Sequence, residues 1–379
     1  MDLAQVWHSL IDNLLTPIPL FFVFGIFTKI IRGGVKVPKE LYYSISIYLL
    51  VSIGLIGGQE LAHEYIARGI STIWKPALAT LVLGCVTPIT SFVVLRYLGG
   101  LSISDSAGIA AHYGSTSAVT YIVADSYANA QGAVPDGYLP TLVTILECPG
   151  IAVALVIGAV MLGLEQQKSV RPATVNVPGL DEGNGHGKLW EALHEVITGQ
   201  SLMLMVGSMI IGFISLEIMQ DEKFKVYHDF FYNKGMVFRG ALCIFLLEMG
   251  LVTGERLKDL LKVGPFLIAF GVLIPIVHGF LGAWLGHLAG LNLGGCTVLA
   301  AIVSSASYIA APPAVRLTLP EANPTLSMTA SLGITFPFNI ALGVPLYYQM
   351  AKFLGAKAVE HGAAGEHALQ TLIRWNGWA

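Results

Sequence analysis

The chain has 379 residues, of which 54% are hydrophobic and only 12% are charged, and its formal net charge is −3. Soluble globular domains carry about 25% charged residues, so this composition excludes an ordinary soluble domain. The small net charge also argues against a nucleic-acid partner.

Ten apolar runs follow one another along the chain, most of them close to the length of about 20 residues that a membrane span requires. The charged residues lie between the runs, which indicates helices that are surrounded by lipid or protein on all sides. The runs are too long and too continuous for barrel strands. We therefore predict an all-α polytopic membrane protein with about ten transmembrane helices, at Ile11–Ile31, Leu41–Ile56, Pro76–Leu95, Ser106–Ala124, Leu139–Leu164, Leu189–Glu217, Val237–Val252, Gly264–Leu288, Cys296–Val315 and Leu326–Phe353.

Basic residues are distributed unevenly over the two sides that ten alternating spans produce. Twelve of the 21 Lys and Arg residues fall on one side, which the positive-inside rule assigns to the cytoplasm. Both termini then face outward, and the polar segment 165–188 is a flexible cytoplasmic linker. It joins a first half, residues 1–164, to a second half, residues 189–379. Since no Lys or Arg precedes Lys29, we expect no cleaved signal peptide.

The two halves carry matching segments in the same order. Residues 54–61 (GLIGGQEL) and 250–257 (GLVTGERL) share four of eight positions at a separation of 196 residues. The fourth run contains Gly-Ser-Thr-Ser at 114–117, and the ninth contains Ser-Ser-Ala-Ser at 304–307. Because each half has five spans, the second half enters the membrane from the opposite side. We therefore predict a 5+5 inverted repeat, a construction common in secondary transporters.

Small hydroxyl residues concentrate in the fourth and ninth runs, which are the least apolar. An anion held there has to be bound by hydroxyl groups, by free backbone N–H groups at helix breaks or by a bound cation. Plausible break points are Gly108, Gly114, Pro312 and Pro313. Alternatively, the small residues simply allow close helix packing. The candidate substrate-binding residues are Gly114, Ser115, Thr116, Ser117, Ser304, Ser305 and Ser307.

Glu147 lies within the fifth apolar run, directly before Cys148 and Pro149. A charge at the centre of a span costs about 2.5–3.5 kcal/mol on insertion scales. Such a residue is therefore neutral, paired or functional. Three interpretations stay open: a protonated structural acid, a sodium ligand or a proton-coupling group.

Other functional classes lack the motifs they need. His63-Glu64 and His194-Glu195 have no second His at the spacing of a zinc protease, and no phosphate-binding loop or nucleophile elbow occurs in the sequence. We therefore predict that the chain is not an enzyme and binds no cofactor. A secondary transporter fits best, and an anion channel is the alternative.

The chain resembles the sodium-dependent bicarbonate transporter family known from cyanobacteria. The resemblance rests on Ile53–Gly58, Gly114-Ser115-Thr116, Leu251–Leu257, Val277–Phe280 and, most specifically, Ser304–Pro324 with its Pro312-Pro313 and Ala322-Asn323-Pro324. It implies a gate domain from spans one, two, six and seven and a core domain from spans three to five and eight to ten. It further implies sodium-coupled bicarbonate uptake by an elevator mechanism, a homotrimer in the inner (plasma) membrane and, in some members, a PII-like regulatory partner on the cytoplasmic side.

Two residues depart from the family pattern. Tyr308 stands where the family has an Asp after the serine cluster of span nine, and Glu147 stands where it has an Asp before the proline of span five. The resemblance makes Glu147, Ser307 and Tyr308 the candidate sodium-binding residues. Because Tyr308 removes a charge, sodium symport of another small anion, such as a short carboxylate, is the second hypothesis for the substrate.

Overall fold

The computed structural model describes residues 15–147, 149–169, 190–191, 194, 197–216, 225–232 and 235–357. Within these ranges the chain folds into α-helices, and none of the described residues forms a strand. The all-α prediction is therefore confirmed. The predicted linker lies outside the described residues from position 170 onward. Its first five positions continue a helix, since Glu165, Gln166 and Gln167 are good helix formers.

Fourteen helices are described, and each of the ten predicted runs overlaps at least one of them. The first half holds α1 Pro17–Ile30, α2 Lys39–Arg68, α3 Trp74–Val93, α4 Ile103–Gly114, α5 Ala118–Ala130, α6 Leu139–Glu147 and α7 Pro149–Ser169. The second half holds α8 Gln200–Ile214, α9 Lys225–Phe231, α10 Met236–Arg256, α11 Leu260–Ala289, α12 Leu293–Val303, α13 Ala311–Thr318 and α14 Pro324–Phe353. The short helix α9 has no counterpart in the prediction.

Several helices have the length and composition of membrane spans. In the described part of the chain, six helical stretches are long and apolar enough to cross a membrane, and α1, α8 and α12 are shorter apolar helices. Large apolar side chains on α1, among them Phe24 and Phe27, are half exposed. Such a surface is suited to lipid, and the chain is therefore a multi-pass membrane protein.

Helices α1 and α10 pack against each other through glycines. Gly250 lies against the backbone of Phe22, and Gly254 lies against the backbone of Ile26 one turn further along both helices. The later contact is therefore closer to the C-terminus on α1 and also on α10. The two helices run in the same direction, and the absence of side chains at the contact allows their backbones to approach closely.

Helices α2 and α8 repeat this arrangement. Gly54 lies against the backbone of Met205, Gly58 lies against Met209 one turn later, and Gly212 faces the backbone of Leu55. Helices α2 and α8 therefore also run in the same direction. Gly54 and Gly58 belong to the segment that recurs at 250–257, so the repeated glycines of each half contact the first helix of the other half.

The fourth and ninth predicted spans are each broken into two helices, α4 with α5 and α12 with α13. At one end of the molecule, the Asp105 carboxylate of α4 accepts a hydrogen bond from the Asn323 N–H, 2.7 Å away, just after α13. At the other end, the Asp136 carboxylate, just after α5, accepts one from the Asn292 N–H before α12 at 3.2 Å. The two broken spans therefore run in opposite directions.

The positions of the breaks correct part of the prediction. Gly114 ends α4, as expected. Gly108, however, lies inside the continuous helix α4, where its small size accommodates Ala322. Pro312 and Pro313 lie in the first turn of α13, a position that tolerates proline because its N–H has no helical partner. The second break therefore precedes both prolines and spans residues 304–310.

Candidate functional site

The first break consists of residues 115–117, and its backbone is extended at Ser115 and Ser117. The Ser117 side chain accepts a hydrogen bond from the Thr120 N–H at 3.3 Å. Ser117 is therefore the N-cap of α5, a role that serine hydroxyls favour because they satisfy a free N–H of the first turn. The break is thus encoded locally by a small residue, Gly114, followed by a capping serine.

The second break ends with an equivalent contact. The Ser307 side chain accepts a hydrogen bond from the Ala310 N–H at 3.1 Å, immediately before α13. Ser307 and Ser117 are separated by 190 residues, as are Ala310 and Thr120. The same serine-to-backbone bond therefore starts the second helix of each broken span.

The two breaks meet in the interior of the molecule. The Ser117 N–H donates to Ser305 Oγ at 2.8 Å, and the Ser307 N–H donates to the His112 carbonyl at 2.8 Å. Thr116 Oγ1 lies 3.3 Å from Ser305 Oγ. Backbone and hydroxyl groups of both breaks thus form one connected network.

The end of α12 is bonded internally and to α14. The Ser304 hydroxyl donates to the Ala301 carbonyl at 2.9 Å, and the Asn339 side-chain amide donates to the Ser304 carbonyl at 3.2 Å. Asn339 in turn accepts a hydrogen bond from the Tyr347 hydroxyl at 2.7 Å. Ser304 is fully buried, so its polar groups serve the packing of α12 against α14.

A cavity lies beside the crossing of the two breaks. It lies between α2, α5, α6, α8, α10 and the second break and has a volume of about 40 Å³. None of the described residues around it is Lys or Arg. Its lining consists of Ser46, Leu49, Leu50, Ile53, Thr116, Ser117, Ala118, Val119, Ile122, Val143, Glu147, Ser201, Phe245, Ser307, Tyr308 and Ile309.

The cavity brings together only part of the predicted site. Its lining includes the predicted substrate residues Thr116, Ser117 and Ser307 and the predicted sodium residues Glu147, Ser307 and Tyr308. The other predicted substrate residues are absent from this lining, namely Gly114, Ser115, Ser304 and Ser305. They lie in the breaks behind the cavity wall, and there the Ser115 hydroxyl is buried without a hydrogen-bond partner among the described residues.

Glu147 is the one carboxylate among the described residues that line the cavity. Its side chain is 5% exposed, and Ser201 of α8 lines the same cavity. Within the described part of the chain, the Glu147 oxygen Oε2 has no hydrogen-bond partner. A buried carboxylate oxygen with free lone pairs is a suitable ligand for a hard cation such as sodium or for a proton.

Tyr308 belongs to the second break and lines the cavity. Its ring meets the ring of Phe336 edge-to-face, with centroids 5.7 Å apart, and Phe336 meets Phe22 of α1 in the same way at 5.4 Å. The Tyr308 hydroxyl lies near Ser117 and has no partner with hydrogen-bonding geometry among the described residues. The aromatic contacts thus fix the ring, while the hydroxyl stays available.

Helix α7 supports the first break from behind. Gly114 and Gly150 touch backbone to backbone, and a Cβ atom on either glycine would overlap the other. The glycines therefore set the distance between the first break and the helix that follows Glu147. Sequence analysis singled out Gly114, but Gly150 carried no signal because glycine is common throughout the apolar runs.

Most protein metal sites are clusters of His, Cys, Asp or Glu side chains. No group of three or more His, Cys, Asp or Glu among the described residues is placed to hold a metal ion. A sodium ion here would have to combine Glu147 with hydroxyl and carbonyl oxygens, as sodium sites at unwound helices do.

Sequence reasoning missed the cavity residues that come from α2, α8 and α10, among them Ser46, Ser201 and Phe245. Ser201 is a polar residue in an apolar run, a signal that could have found it. Ser46 carries the same signal in its own apolar run, whereas Phe245 carries none, because its position at the cavity depends on how α10 packs.

Comparison with known proteins identifies a family over most of the chain. The model of the Na+-dependent bicarbonate transporter superfamily matches residues 17–352, which include every helix at the cavity. A search among curated proteins finds no match to this chain. The family confirms the resemblance inferred from the sequence motifs.

Proposed function

The chain belongs to the Na+-dependent bicarbonate transporter superfamily, and on this premise we propose that it couples bicarbonate uptake to sodium entry by an elevator-type mechanism. It is a transporter and not an enzyme. The observation that carries the proposal is the meeting of two broken helices beside a cavity that holds hydroxyl groups and one buried carboxylate. This combination offers ligands for an anion and for a cation within one cavity.

The architecture that we propose is a 5+5 inverted repeat of residues 1–164 and 189–379. Its support is the direction of the helices. Helices α1 and α2 are joined by residues 31–38, and two successive spans with a short connection run in opposite directions. Because α8 runs parallel to α2, it runs opposite to α1, which is its counterpart at the start of the second half. Antiparallel broken spans support the same symmetry.

We assign α1, α2, α8 and α10 to a gate domain and α3–α7 with α11–α14 to a core domain. The close glycine contacts within the α1–α10 and α2–α8 pairs support a rigid gate. The network between the two breaks supports a core that moves as one unit. In an elevator mechanism such a core carries the bound ions past the gate.

We place the anion at the N-terminus of α5. The N–H groups in the first turn of a helix lack helical partners and carry partial positive charge, and Ala118 and Val119 of this turn line the cavity. Helix α13 offers fewer donors, since Pro312 and Pro313 have no N–H and the Ala310 N–H is bonded to Ser307. Bicarbonate therefore binds near α5, with the Thr116 and Ser117 hydroxyl groups as further partners.

We place the cation between Glu147, Ser307 and the Tyr308 hydroxyl. With no Lys or Arg among the described lining residues, an anion next to an ionised Glu147 would experience unfavourable repulsion in a medium of low dielectric constant. A sodium ion bound at Glu147 removes this repulsion and attracts the anion. This dependence of one ion on the other is the physical basis that we propose for coupling.

Cellular setting and assembly follow from the family resemblance. We propose a homotrimer in the inner (plasma) membrane, with both termini on the outside and a PII-like protein as a regulatory partner on the cytoplasmic side. The excess of Lys and Arg on the predicted cytoplasmic side supports this orientation.

The proposal is tested by uptake of radiolabelled bicarbonate into proteoliposomes that contain the purified chain. An inward sodium gradient should drive accumulation above the external concentration, and replacement of sodium by potassium should abolish it. Uptake that only equilibrates across the membrane would indicate a channel. Sodium-driven accumulation of a short carboxylate without bicarbonate transport would overturn the substrate assignment and support the second hypothesis.

A further inference from the structure

A second and larger cavity lies between α1, α5 and α10. Its volume is about 630 Å³, against about 40 Å³ for the cavity beside the breaks. It is lined by the first turn of α1, the first two turns of α10 and the second half of α5. The proposed orientation places these helix ends on the outside of the membrane, and we therefore call this space the outer cavity.

The outer cavity adjoins the cavity beside the breaks along two shared helices. On α5, Ile122 lines the cavity beside the breaks and Val123 lines the outer cavity. On α10, the corresponding residues are Phe245 and Cys243. Helix α5 belongs to the proposed core and α10 to the proposed gate. The outer cavity therefore lies between the outside and the position at which we place the anion.

The two cavities differ in charge. The cavity beside the breaks has no Lys or Arg among its described lining residues, whereas Arg239 lines the outer cavity and none of the described residues there is acidic. Within the described part of the chain, the Arg239 guanidinium forms neither a hydrogen bond nor an ion pair. The one acid of α5, Asp125, is buried and accepts a hydrogen bond from the Asn129 side-chain amide at 3.1 Å. The outer cavity therefore presents a net positive charge to a solute.

We propose that the outer cavity is an external binding site for the small oxyanion that the chain transports, with Arg239 as its charged group. This inference rests on the proposed function. A positive charge in a cleft raises the local concentration of anions and the rate at which they arrive. The Ser126 hydroxyl and the Gln131 side-chain amide also line the outer cavity and are suitable hydrogen-bond donors for an oxyanion.

The position of Arg239 allows it to attract the anion without holding it during transport. Arg239 precedes Phe245 on α10 by six residues, which is about 9 Å along a helix. The guanidinium therefore belongs to the entrance and not to the cavity beside the breaks. An anion collected at Arg239 can move on to the N-terminus of α5, where sodium at Glu147 supplies the attraction that we propose.

The first measurement is sodium-driven bicarbonate uptake by Arg239→Gln, with the full chain in vesicles of neutral phosphatidylcholine. We expect the KM for external bicarbonate to rise about fivefold, the factor expected for loss of one ion pair in water, while the maximal rate stays at the wild-type level. Arg239→Lys keeps the charge and should match the wild type. Lys75→Gln is the matched control, because Lys75 lies on the same proposed side, next to the Trp74 ring and outside the lining of the outer cavity.

The second measurement needs no transport and uses Cys243, a free cysteine that lines the outer cavity one helical turn from Arg239. An anionic and a cationic methanethiosulfonate, neither of which crosses the membrane, are added outside, and modification at Cys243 is quantified by mass spectrometry with Cys243→Ser as the blank. The ratio of the anionic to the cationic rate should fall at least about fivefold in Arg239→Gln and stay unchanged in Lys75→Gln. The ratio cancels any change in the reactivity of the thiol itself.

The outcomes separate this inference from the proposed function. If the wild type transports bicarbonate but either the KM or the labelling ratio of Arg239→Gln equals that of Lys75→Gln, the inference alone is overturned. If the wild type transports no bicarbonate and the labelling ratio still falls in Arg239→Gln, the proposed function is overturned and the anion site is supported. An effect of Arg239→Gln that appears only in vesicles containing anionic phosphatidylglycerol would assign the outer cavity to a lipid phosphate group and overturn the inference.

Discussion

The Ser117 N–H donates a hydrogen bond to Ser305 Oγ at 2.8 Å, which links the break of the first half to the break of the second. The same hydroxyl donates its own proton to the Ile302 carbonyl at 2.7 Å. The Ser305 hydroxyl proton is therefore used in a hydrogen bond within the protein and is not free for a substrate. Ser305, which the sequence indicated as a substrate ligand, has the geometry of a residue that holds the two breaks together.

Removal of this hydroxyl should affect stability more than substrate affinity. In Ser305→Ala the buried Ser117 N–H loses its acceptor, and an unsatisfied buried group costs about 1–3 kcal/mol. We expect a lower melting temperature in detergent and a lower maximal rate, with the KM for bicarbonate nearly unchanged. Ser304→Ala is the control, because the Ser304 hydroxyl donates to the Ala301 carbonyl of its own helix. A raised KM at wild-type stability would contradict this role.

Thr116→Val should produce the opposite pattern. Thr116 lines the cavity, and valine has nearly the same shape without the hydroxyl. If the hydroxyl donates to bicarbonate, its loss should raise the KM for bicarbonate about tenfold, the factor expected for a hydrogen bond to a charged group, while the melting temperature changes little. An unchanged KM in the uptake assay would place the anion away from Thr116.

The sequence predicted that both spans are broken and located the first break at Gly114, whereas the second break lies before the predicted points Pro312 and Pro313. A small residue followed by a capping serine is visible at 114–117, and a similar hydroxyl cluster is visible at 304–307. Gly108 was a wrong break point because its function is packing against Ala322, a contact between segments more than 200 residues apart that no local pattern reveals. The cavity residues on α2, α8 and α10 could not be predicted from local patterns either, since their position depends on how whole helices associate.

The contact between Gly114 and Gly150 predicts that the site does not tolerate a methyl group at either position. In Gly150→Ala the new Cβ overlaps the Gly114 backbone, which cannot move without displacing the first break. Overpacking of this kind typically costs about 1–3 kcal/mol. We expect loss of most sodium-driven uptake and a lower melting temperature.

Gly163→Ala on the same helix α7 is the matched control for this prediction. A Cβ atom there meets no described atom within 4 Å, and alanine favours a helix more than glycine does. Uptake should therefore match the wild type. Equal activity of the two variants would mean that the backbones of α4 and α7 are further apart than this structure has them.

The parallel packing of α2 and α8 provides a test of the proposed gate. Gly212→Ala places a Cβ atom against the Leu55 backbone, whereas Gly207→Ala on the same helix meets no described atom within 4 Å. We expect Gly212→Ala to lower the melting temperature and Gly207→Ala to leave it unchanged or slightly raised. Thermal unfolding of both variants in detergent is the measurement. Equal melting temperatures would contradict close packing of these two helices.

Tyr308 stands where the sequence resemblance implies an Asp. The phenol stays neutral at physiological pH and is a weaker cation ligand than a carboxylate. In Tyr308→Asp we expect the sodium concentration for half-maximal uptake to fall and the sodium dependence to become steeper. The new carboxylate would lie in the cavity that also holds Glu147. Two buried carboxylates repel each other without a cation, so sodium should become more necessary.

A second readout that does not depend on transport is the effect of sodium on stability. A ligand that binds only the folded state raises the melting temperature, and the rise increases with the ratio of ligand concentration to dissociation constant. Sodium should therefore stabilise Tyr308→Asp more than it stabilises the wild type, even if loss of the ring contact with Phe336 lowers the melting temperature in the absence of sodium. Tyr308→Phe is the control, because it keeps the ring and removes only the hydroxyl. If sodium shifts the melting temperatures of the wild type, Tyr308→Asp and Tyr308→Phe equally, the side chain at position 308 does not contact the cation.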